Sequence, residues 1–192
     1  MAIGVAVILA AIFGLFFGGI YNSLVRAEEQ VSEAWAQVEN AYQRRLDLIP
    51  NLVETVKGYA AHEHQTLEAV VQARSKITQL NISGKDIANP QTLAEFEQAQ
   101  QTLSSSLSRL LVLVEQYPDL KANQNFLALQ SQLEGTENRI AVERYRFNEA
   151  ARAFNTRVRV FPNRWVASWT GFQKKAYFAA DQAARSRPTV KF

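Results

Sequence analysis

The stretch Arg44-Arg45-Leu46-Asp47-Leu48-Ile49-Pro50-Asn51-Leu52-Val53-Glu54-Thr55-Val56-Lys57-Gly58-Tyr59-Ala60-Ala61-His62-Glu63 decides the fold. A proline interrupts sequence that is otherwise helical. Apolar residues resume at helical spacing straight after it, at Leu52, Val53, Val56 and Tyr59. Two readings compete. Asp47 can be an N-cap with Pro50 in the first turn of a new helix, where a missing N–H costs nothing. The chain would then reverse here. Alternatively Pro50 only kinks one long helix, because positions 42, 45, 49, 52, 56 and 59 keep a single register. The absence of Gly or Ser at the break favours the kink. Segment lengths favour the reversal, which is the reading adopted: Tyr21–Leu46, Asp47–Asn81, Pro90–Tyr117 and Pro118–Val158 suit a four-helix bundle.

Upstream, Leu24, Val31, Trp35, Val38, Tyr42, Arg45 and Ile49 recur at three and four residues, with Glu28, Glu29, Glu33, Gln37 and Gln43 between them. The stripe is core and the intervening residues are solvated. Arg45 is its one charged member. Further upstream, Ala2 to Val25 holds no charged side chain, and Ile3 to Ile20 is about long enough to span a bilayer. No Lys or Arg precedes this run, as a cleaved signal peptide would want. A retained transmembrane anchor is therefore expected. Within it Ala2, Ala6, Ala10, Gly14 and Gly18 fall every four residues. Such a ridge lets two membrane helices approach closely and predicts self-association.

Downstream, the second helix buries Val70, Ala73, Ile77 and Leu80 and is expected to stop at Asn81-Ile82-Ser83-Gly84. Asn89-Pro90 is a cap followed by an N1 proline. Leu93, Phe96, Leu103, Leu107, Leu110, Leu111 and Val114 then mark a third helix, and Tyr117-Pro118-Asp119 the next turn. Phe126, Leu129, Leu133, Ile140, Phe147, Ala151 and Phe154 mark a fourth. Glu137 and Arg144 interrupt that stripe, seven residues apart on one face. Either both snorkel outward, or they join Arg45 and Asp47 in a buried ion-pair cluster, which would need full hydrogen bonding.

After Phe161-Pro162-Asn163, Trp165, Trp169 and Phe172 share one face of a short helix, and Lys174 onward reads as loosely ordered. From Arg157 to Phe192 eight Lys/Arg face one acid, Asp181, while the whole chain carries only +3. A basic tail thus follows a net acidic body. In an up-and-down bundle Trp165, Trp169, Phe172, Lys174 and Lys175 would return to the membrane and form an interface with anionic lipid.

The sequence therefore predicts an all-α protein: an N-terminal transmembrane helix, an antiparallel four-helix (up-and-down) bundle and a short aromatic C-terminal helix. The divisions are 1–25, 26–158 and 159–192. The composition excludes some chemistry. There is no cysteine, hence no disulfide and no thiolate metal site. No nucleophile elbow or phosphate-binding glycine loop occurs. His62 and His64 lie two apart on different helix faces, and a di-iron Glu-x-x-His pattern would need glutamate where Tyr59 and Ala61 stand. No recognition-helix motif suggests nucleic acid.

Several stretches resemble the LemA family of bacterial membrane proteins. They are Tyr21-Asn22-Ser23-Leu24-Val25; Ala34-Trp35; Arg44-Arg45 with Asp47-Leu48-Ile49-Pro50-Asn51-Leu52-Val53; and Val56-Lys57-Gly58-Tyr59-Ala60 with His62-Glu63. Others are Ala73-Arg74; Tyr117-Pro118-Asp119-Leu120-Lys121-Ala122-Asn123; Leu133 to Ile140; Phe161-Pro162-Asn163; and Gly171-Phe172. Arg44, Arg45, Asp47, Pro50, Asn51, Glu137 and Arg144 are taken as structural motif positions. The resemblance implies one membrane helix and a helical bundle, with one branch of the family associated with magnetosome formation. It implies no activity that carries over residue by residue.

The expected function is a self-associating scaffold or adaptor at the bacterial inner membrane, without catalytic activity or cofactor. Its expected partners are lipid, further copies of itself and a membrane protein. The self-association positions are Ala6, Ala10, Gly14 and Gly18. Arg26, Arg44 and Arg45 after the anchor place the bundle in the cytoplasm by the positive-inside rule. The alternatives are a metal-dependent or accessory enzyme component using His62 and Glu63 with Glu137 and Arg144, and a lipid-surface binding protein.

Overall fold

A computed structural model describes residues 2–80 and 88–179. The described residues are helical and contain no strand. Helix α1 runs unbroken from Ala2 to Lys57, 56 residues with Pro50 inside it. Helix α2 is His64–Gln79, α3 is Pro90–Val114, α4 is Pro118–Lys121, α5 is Gln124–Arg159 and α6 is Asn163–Thr170.

The reversal expected at Asp47–Pro50 does not occur. Asp47 is exposed and accepts a hydrogen bond from Gln43 Nε2 at 2.7 Å within the same helix, so it caps nothing. Pro50 lies on the exposed face. A proline inside a helix removes the N–H that would bond the carbonyl four residues earlier, at a cost of about 3 kcal/mol. Here that carbonyl is Leu46 O, and Arg74 Nε of α2 donates to it at 3.1 Å. Around the proline, Ile49, Leu52, Val53 and Val56 are all buried. Each is worth about 1.5–3 kcal/mol when fully buried. Continuing the stripe outweighs the broken bond.

The helix ends at Lys57, eleven residues later than the sequence suggested, and the chain turns at Gly58. Gly58 N bonds Glu54 O, Tyr59 N and Ala60 N bond Val56 O, and Glu63 N bonds Ala60 O, closing a tight turn over the buried Ala60. The Asn81-Ile82-Ser83-Gly84 stop lies outside the described residues. The Asn89 side chain accepts from Gln91 N at 2.9 Å with Pro90 in the first turn, as the cap-and-proline pair predicted. The fourth helix, expected from Pro118, is divided. One turn, α4, is followed by a new start where Asn123 Oδ1 accepts from Phe126 N at 3.1 Å.

Helices α1 and α5 face each other with opposite direction. Arg157 Nη1 lies 3.4 Å from Ser23 O, Trp35 packs on Phe147 at 5.6 Å between centroids, Arg45 meets Glu137 at 2.9 Å, and Asn123 Nδ2 donates to Tyr59 Oη at 2.9 Å. As one number climbs, the other falls by the same step. Helix α3 lies beside the same part of α1, with Phe96 against Trp35 and Tyr42 and Ser104 against Arg45. Tyr117 Oη donates to Glu63 at 2.9 Å and links the far turns.

Beyond α6 the chain does not loosen at Lys174. Gly171, in the left-handed conformation at φ 81°, releases it from the helix. Residues 171–179 then form an extended strap along α5. Asn155 and Asn148, seven residues apart on α5, hold it. Asn155 Nδ2 donates to Lys175 O at 2.9 Å and its Oδ1 accepts Lys175 N at 2.8 Å; Asn148 does the same for Phe178 O at 3.1 Å and Phe178 N at 2.9 Å. Each asparagine amide imitates the edge of a strand. Phe178 enters the core, stacked on Trp35 at 5.9 Å and edge-on to Phe147 at 5.3 Å.

The Pro50–Arg74 relation has a measurable consequence. Arg74→Ala should cost about 1–2 kcal/mol in the parent. It should cost well under half of that in Pro50→Ala, where a restored N–H occupies the Leu46 carbonyl. Urea unfolding of the four members of this double-mutant cycle in detergent measures the coupling. Equal costs in both backgrounds would mean that Arg74 does not compensate the proline.

Candidate functional site

Two places concentrate side chains that could meet a ligand. The first is a polar cleft of about 520 Å³ among α1, α3 and α5, with Ala179 of the strap at its edge. The stripe position Arg45 points into it and is 2% exposed. Its Nε lies 2.9 Å from Glu137 Oε1, and its Nη2 donates to Ser104 Oγ at 2.6 Å. Burial lowers the Arg45 pKa, opposed by Glu137 and by Tyr42. The guanidinium nevertheless stays charged, because no protein environment deprotonates arginine. Arg144 forms a second pair, donating from Nη2 to Glu97 Oε1 at 2.6 Å and to Ala179 O at 3.1 Å, with its guanidinium 4.7 Å over the Phe178 ring. Burial lifts the Glu97 carboxyl above its ordinary value, against the pull of Arg144 and the Ala179 N–H. Burial likewise raises Tyr42, opposed by the two arginines.

The ion-pair cluster is therefore split. Glu137 joins Arg45, as one of the two readings had it. Asp47 stays outside on the solvent face, and Arg144 takes Glu97 instead. Arg44 and Asn51 are exposed and line neither cavity. Sequence reasoning missed Glu97, Gln100 and Ser104. Their signal is a polar line at three- and four-residue spacing on α3, running beside the apolar one. Gln100 is 4% exposed, and neither of its amide atoms has a hydrogen-bond partner among the described residues. The cleft holds two cations and two anions, already paired, and no histidine. Its unengaged polar group is the Gln100 amide.

His62 and His64 are exposed in and beside the α1–α2 turn, and Glu63 accepts from Tyr117 Oη. Among the described residues no three His, Cys, Asp or Glu converge on a point that could hold a metal ion.

The second place is at the other end. The apolar part of α1 is long and apolar enough to cross a membrane, and no residue of its most apolar stretch is fully buried. Helix α6 leans on its last turns. Trp169 lies 6.2 Å from Phe17 between centroids, and Val166 and Ala167 are buried with Leu24. Between the two helices runs an apolar groove of about 550 Å³. Trp165 and Trp169 are 64% and 74% exposed. Phe172 is turned inward, between Tyr21 at 5.8 Å and Phe154 at 6.2 Å. Lys175 is also turned inward: its Nζ donates to Glu28 at 2.7 Å and sits 5.5 Å from the Phe154 ring centroid. Lys174 remains exposed. The five residues expected at a lipid interface thus divide into three that face outward and two that hold the strap. Ala6, Ala10, Gly14 and Gly18 are exposed or half-exposed, and a Cβ added at either glycine would meet nothing within 4 Å.

These features define a class: a helical protein whose first helix is fit to be a membrane anchor and continues into a bundle with a paired, polar interior cleft. The LemA family profile matches residues 34–192, and the chain belongs to the LemA family. It is similar to Protein LemA of Metamycoplasma hominis, 26% identical over 179 residues that cover 93% of this chain and 78% of that protein. It is also similar to Magnetosome protein MamQ 2 of Paramagnetospirillum magneticum, 28% identical over 177 residues, and to Magnetosome protein MamQ of Magnetospirillum gryphiswaldense, 28% identical over 174 residues. Both of those matches cover 82% of this chain but only 64% of the relative.

The paired cleft predicts an asymmetry. Glu137→Ala leaves the buried Arg45 charge facing Ser104 alone and should cost roughly 2–3 kcal/mol, below the usual penalty for breaking a buried pair because water reaches the half-exposed Glu137. Arg45→Met removes the charge and keeps the volume, and should cost less. Thermal unfolding of the two variants ranks them.

Proposed function

We propose that the protein is a membrane-anchored scaffold or adaptor, self-associating and without catalytic activity. The observation that carries this reading is the continuity of α1. One helix without a hinge is both the apolar segment and the central stave of the bundle. The antiparallel run of α5 along α1 supports reading α1, α2, α3 and α5 as an antiparallel up-and-down bundle. The anchor over 1–25 and the bundle over 26–158 then move as one body, with residues 159–179 clasping them. A rigid rod of this kind transmits position. The interior cleft supports the same reading, since its charged groups are engaged with one another.

Self-association rests on the ridge Ala6, Ala10, Gly14 and Gly18, where a Cβ added at either glycine would meet nothing within 4 Å among the described residues. A membrane protein of complementary small-residue face is the other partner such a ridge accepts. Localisation at the inner membrane, single-pass, with the bundle in the cytoplasm, follows from the basic residues after the apolar run. The magnetosome in the names of two relatives belongs to those proteins.

Two experiments test these points. Gly14→Leu with Gly18→Leu should cut the yield of cross-linked dimer in membranes at least several-fold without changing bundle stability. Unchanged cross-linking, or a strictly monomeric parent, would refute self-association. For orientation, Glu95 on exposed α3 is replaced by cysteine in this cysteine-free chain. An impermeant thiol reagent should label it only after cells are opened; labelling of intact cells would reverse the topology.

A further inference from the structure

The groove at the foot of the bundle has a chemistry that the scaffold reading leaves unused. Its walls are apolar throughout: Phe13, Phe17 and Ile20 on α1, with Phe161, Trp165 and Trp169 opposite. Phe161 and Trp165 are also walls of a neighbouring concavity lined by Arg159, Arg164 and Ser168. Arg159, Arg164 and Ser168 recur in a third hollow, where Lys174 joins them. An apolar slot and a basic hollow therefore share a wall.

Several bases of the bundle are engaged by acids, and Arg157, two residues from Arg159, is turned to Ser23. Arg45, Arg144, Arg152 and Lys175 each have a carboxylate partner. Arg159, Arg164 and Lys174 have none within salt-bridge distance among the described residues, and all three are exposed. Unpaired guanidiniums with a hydroxyl beside them are a good match for phosphate oxygens.

The direction of the site matches as well. The apolar run of α1 ends at Ile20. Phe17, against Trp169, lies one turn inside that end. Ser23, against Arg157, lies one turn outside it, and α5 ends two residues beyond Arg157. The slot thus opens at hydrocarbon depth and the bases sit at headgroup depth, with two exposed tryptophans at the boundary, where indole rings are favoured. A water-soluble anion would use the hollow and leave the slot empty. A neutral lipid would use the slot and leave the bases unpaired.

Resting on the membrane-anchored reading above, we infer that the α1–α6 groove and the hollow of Arg159, Arg164 and Lys174 form a site for one anionic phospholipid, acyl chain in the groove and phosphate on the three bases. The bound lipid completes the charge at the foot of the bundle and fixes α6 against α1.

The test uses the full chain in neutral phosphatidylcholine vesicles carrying a small fraction of brominated-chain lipid. The bromine is placed either on phosphatidylglycerol or on phosphatidylcholine. Trp165 and Trp169 report quenching, since the remaining tryptophan, Trp35, is buried in the bundle. Brominated phosphatidylglycerol should quench several-fold more per mole than brominated phosphatidylcholine. The triple variant Arg159→Gln, Arg164→Gln, Lys174→Gln, which alters only exposed side chains, should quench equally with both. Equal quenching in the parent, or an undiminished preference in the variant, would overturn the inference. Loss of the preference on adding excess glycerol phosphate would show a site for soluble phosphate and overturn the acyl-chain part. Dimer cross-linking in the same vesicles is scored separately. If it fails while the lipid preference stands, the scaffold reading falls and the lipid site does not.

Discussion

The structure depends on α1 staying helical through a proline. Pro50 withholds the N–H that Leu46 O needs, and a buried stripe from Leu24 to Val56 would lose its register if the helix broke there. The fold resolves the conflict with one side chain from another helix, Arg74, on the free carbonyl. That bond also fixes how α2 lies on α1. A local defect in one helix has become the docking point of the next, and the docking puts Val70, Ala73 and Ile77 into the common core. Had the carbonyl been left dry and unpaired, the desolvation cost would have added to the roughly 3 kcal/mol of the proline itself.

The interior built on this stave is unusually aromatic and charged at one level. Trp35 touches Phe96, Phe147 and Phe178, and Tyr42 touches Phe96. One of these rings, Phe178, comes from the extended strap, so the core is incomplete until residues far from it in sequence have docked. Next to the rings lie Arg45 with Glu137 and Arg144 with Glu97. Arg144 belongs to both sets, since it caps the face of Phe178 and holds the carbonyl of Ala179. Charge pairing and strap docking are thereby one event. This is the physical reason an arginine and a glutamate can interrupt the apolar stripe of α5 without breaking it.

Much of this was legible in the sequence. The stripe of α1, the start at Asn89, the core faces of α3 and α5 and the exceptional character of Arg45 all follow from spacing and cap chemistry; the second start at Asn123 does not. The turn at Gly58 was not, because a proline is the louder signal and its compensation comes from Arg74, 24 residues along the chain. The division of the charges was not, since helical spacing shows that Glu137 and Arg144 share a face but not which groups on other helices meet them. The strap was missed for a different reason. It has no periodicity of its own, and what holds it is a pair of asparagines, Asn148 and Asn155, whose seven-residue spacing acquires meaning only once an extended chain lies across them.

The position of α6 shows that moving a turn along the chain need not move the segments beyond it. If α1 merely bent at Pro50 and nothing else reversed the chain, Trp165 and Trp169 would end far from the apolar run. The turn at Gly58 supplies the missing reversal eight residues later, so the number of reversals is the same and only their location differs. With that number unchanged, α5 runs back along α1, and the turn at Phe161-Pro162 delivers α6 beside Phe17. The parity of reversals decides which end of the bundle a segment reaches; the length of the first stave decides only how far the other end extends. Lengthening α1 past Pro50 moves the Tyr59–Asn123 and Glu63–Tyr117 contacts outward and leaves the groove at the foot where it is.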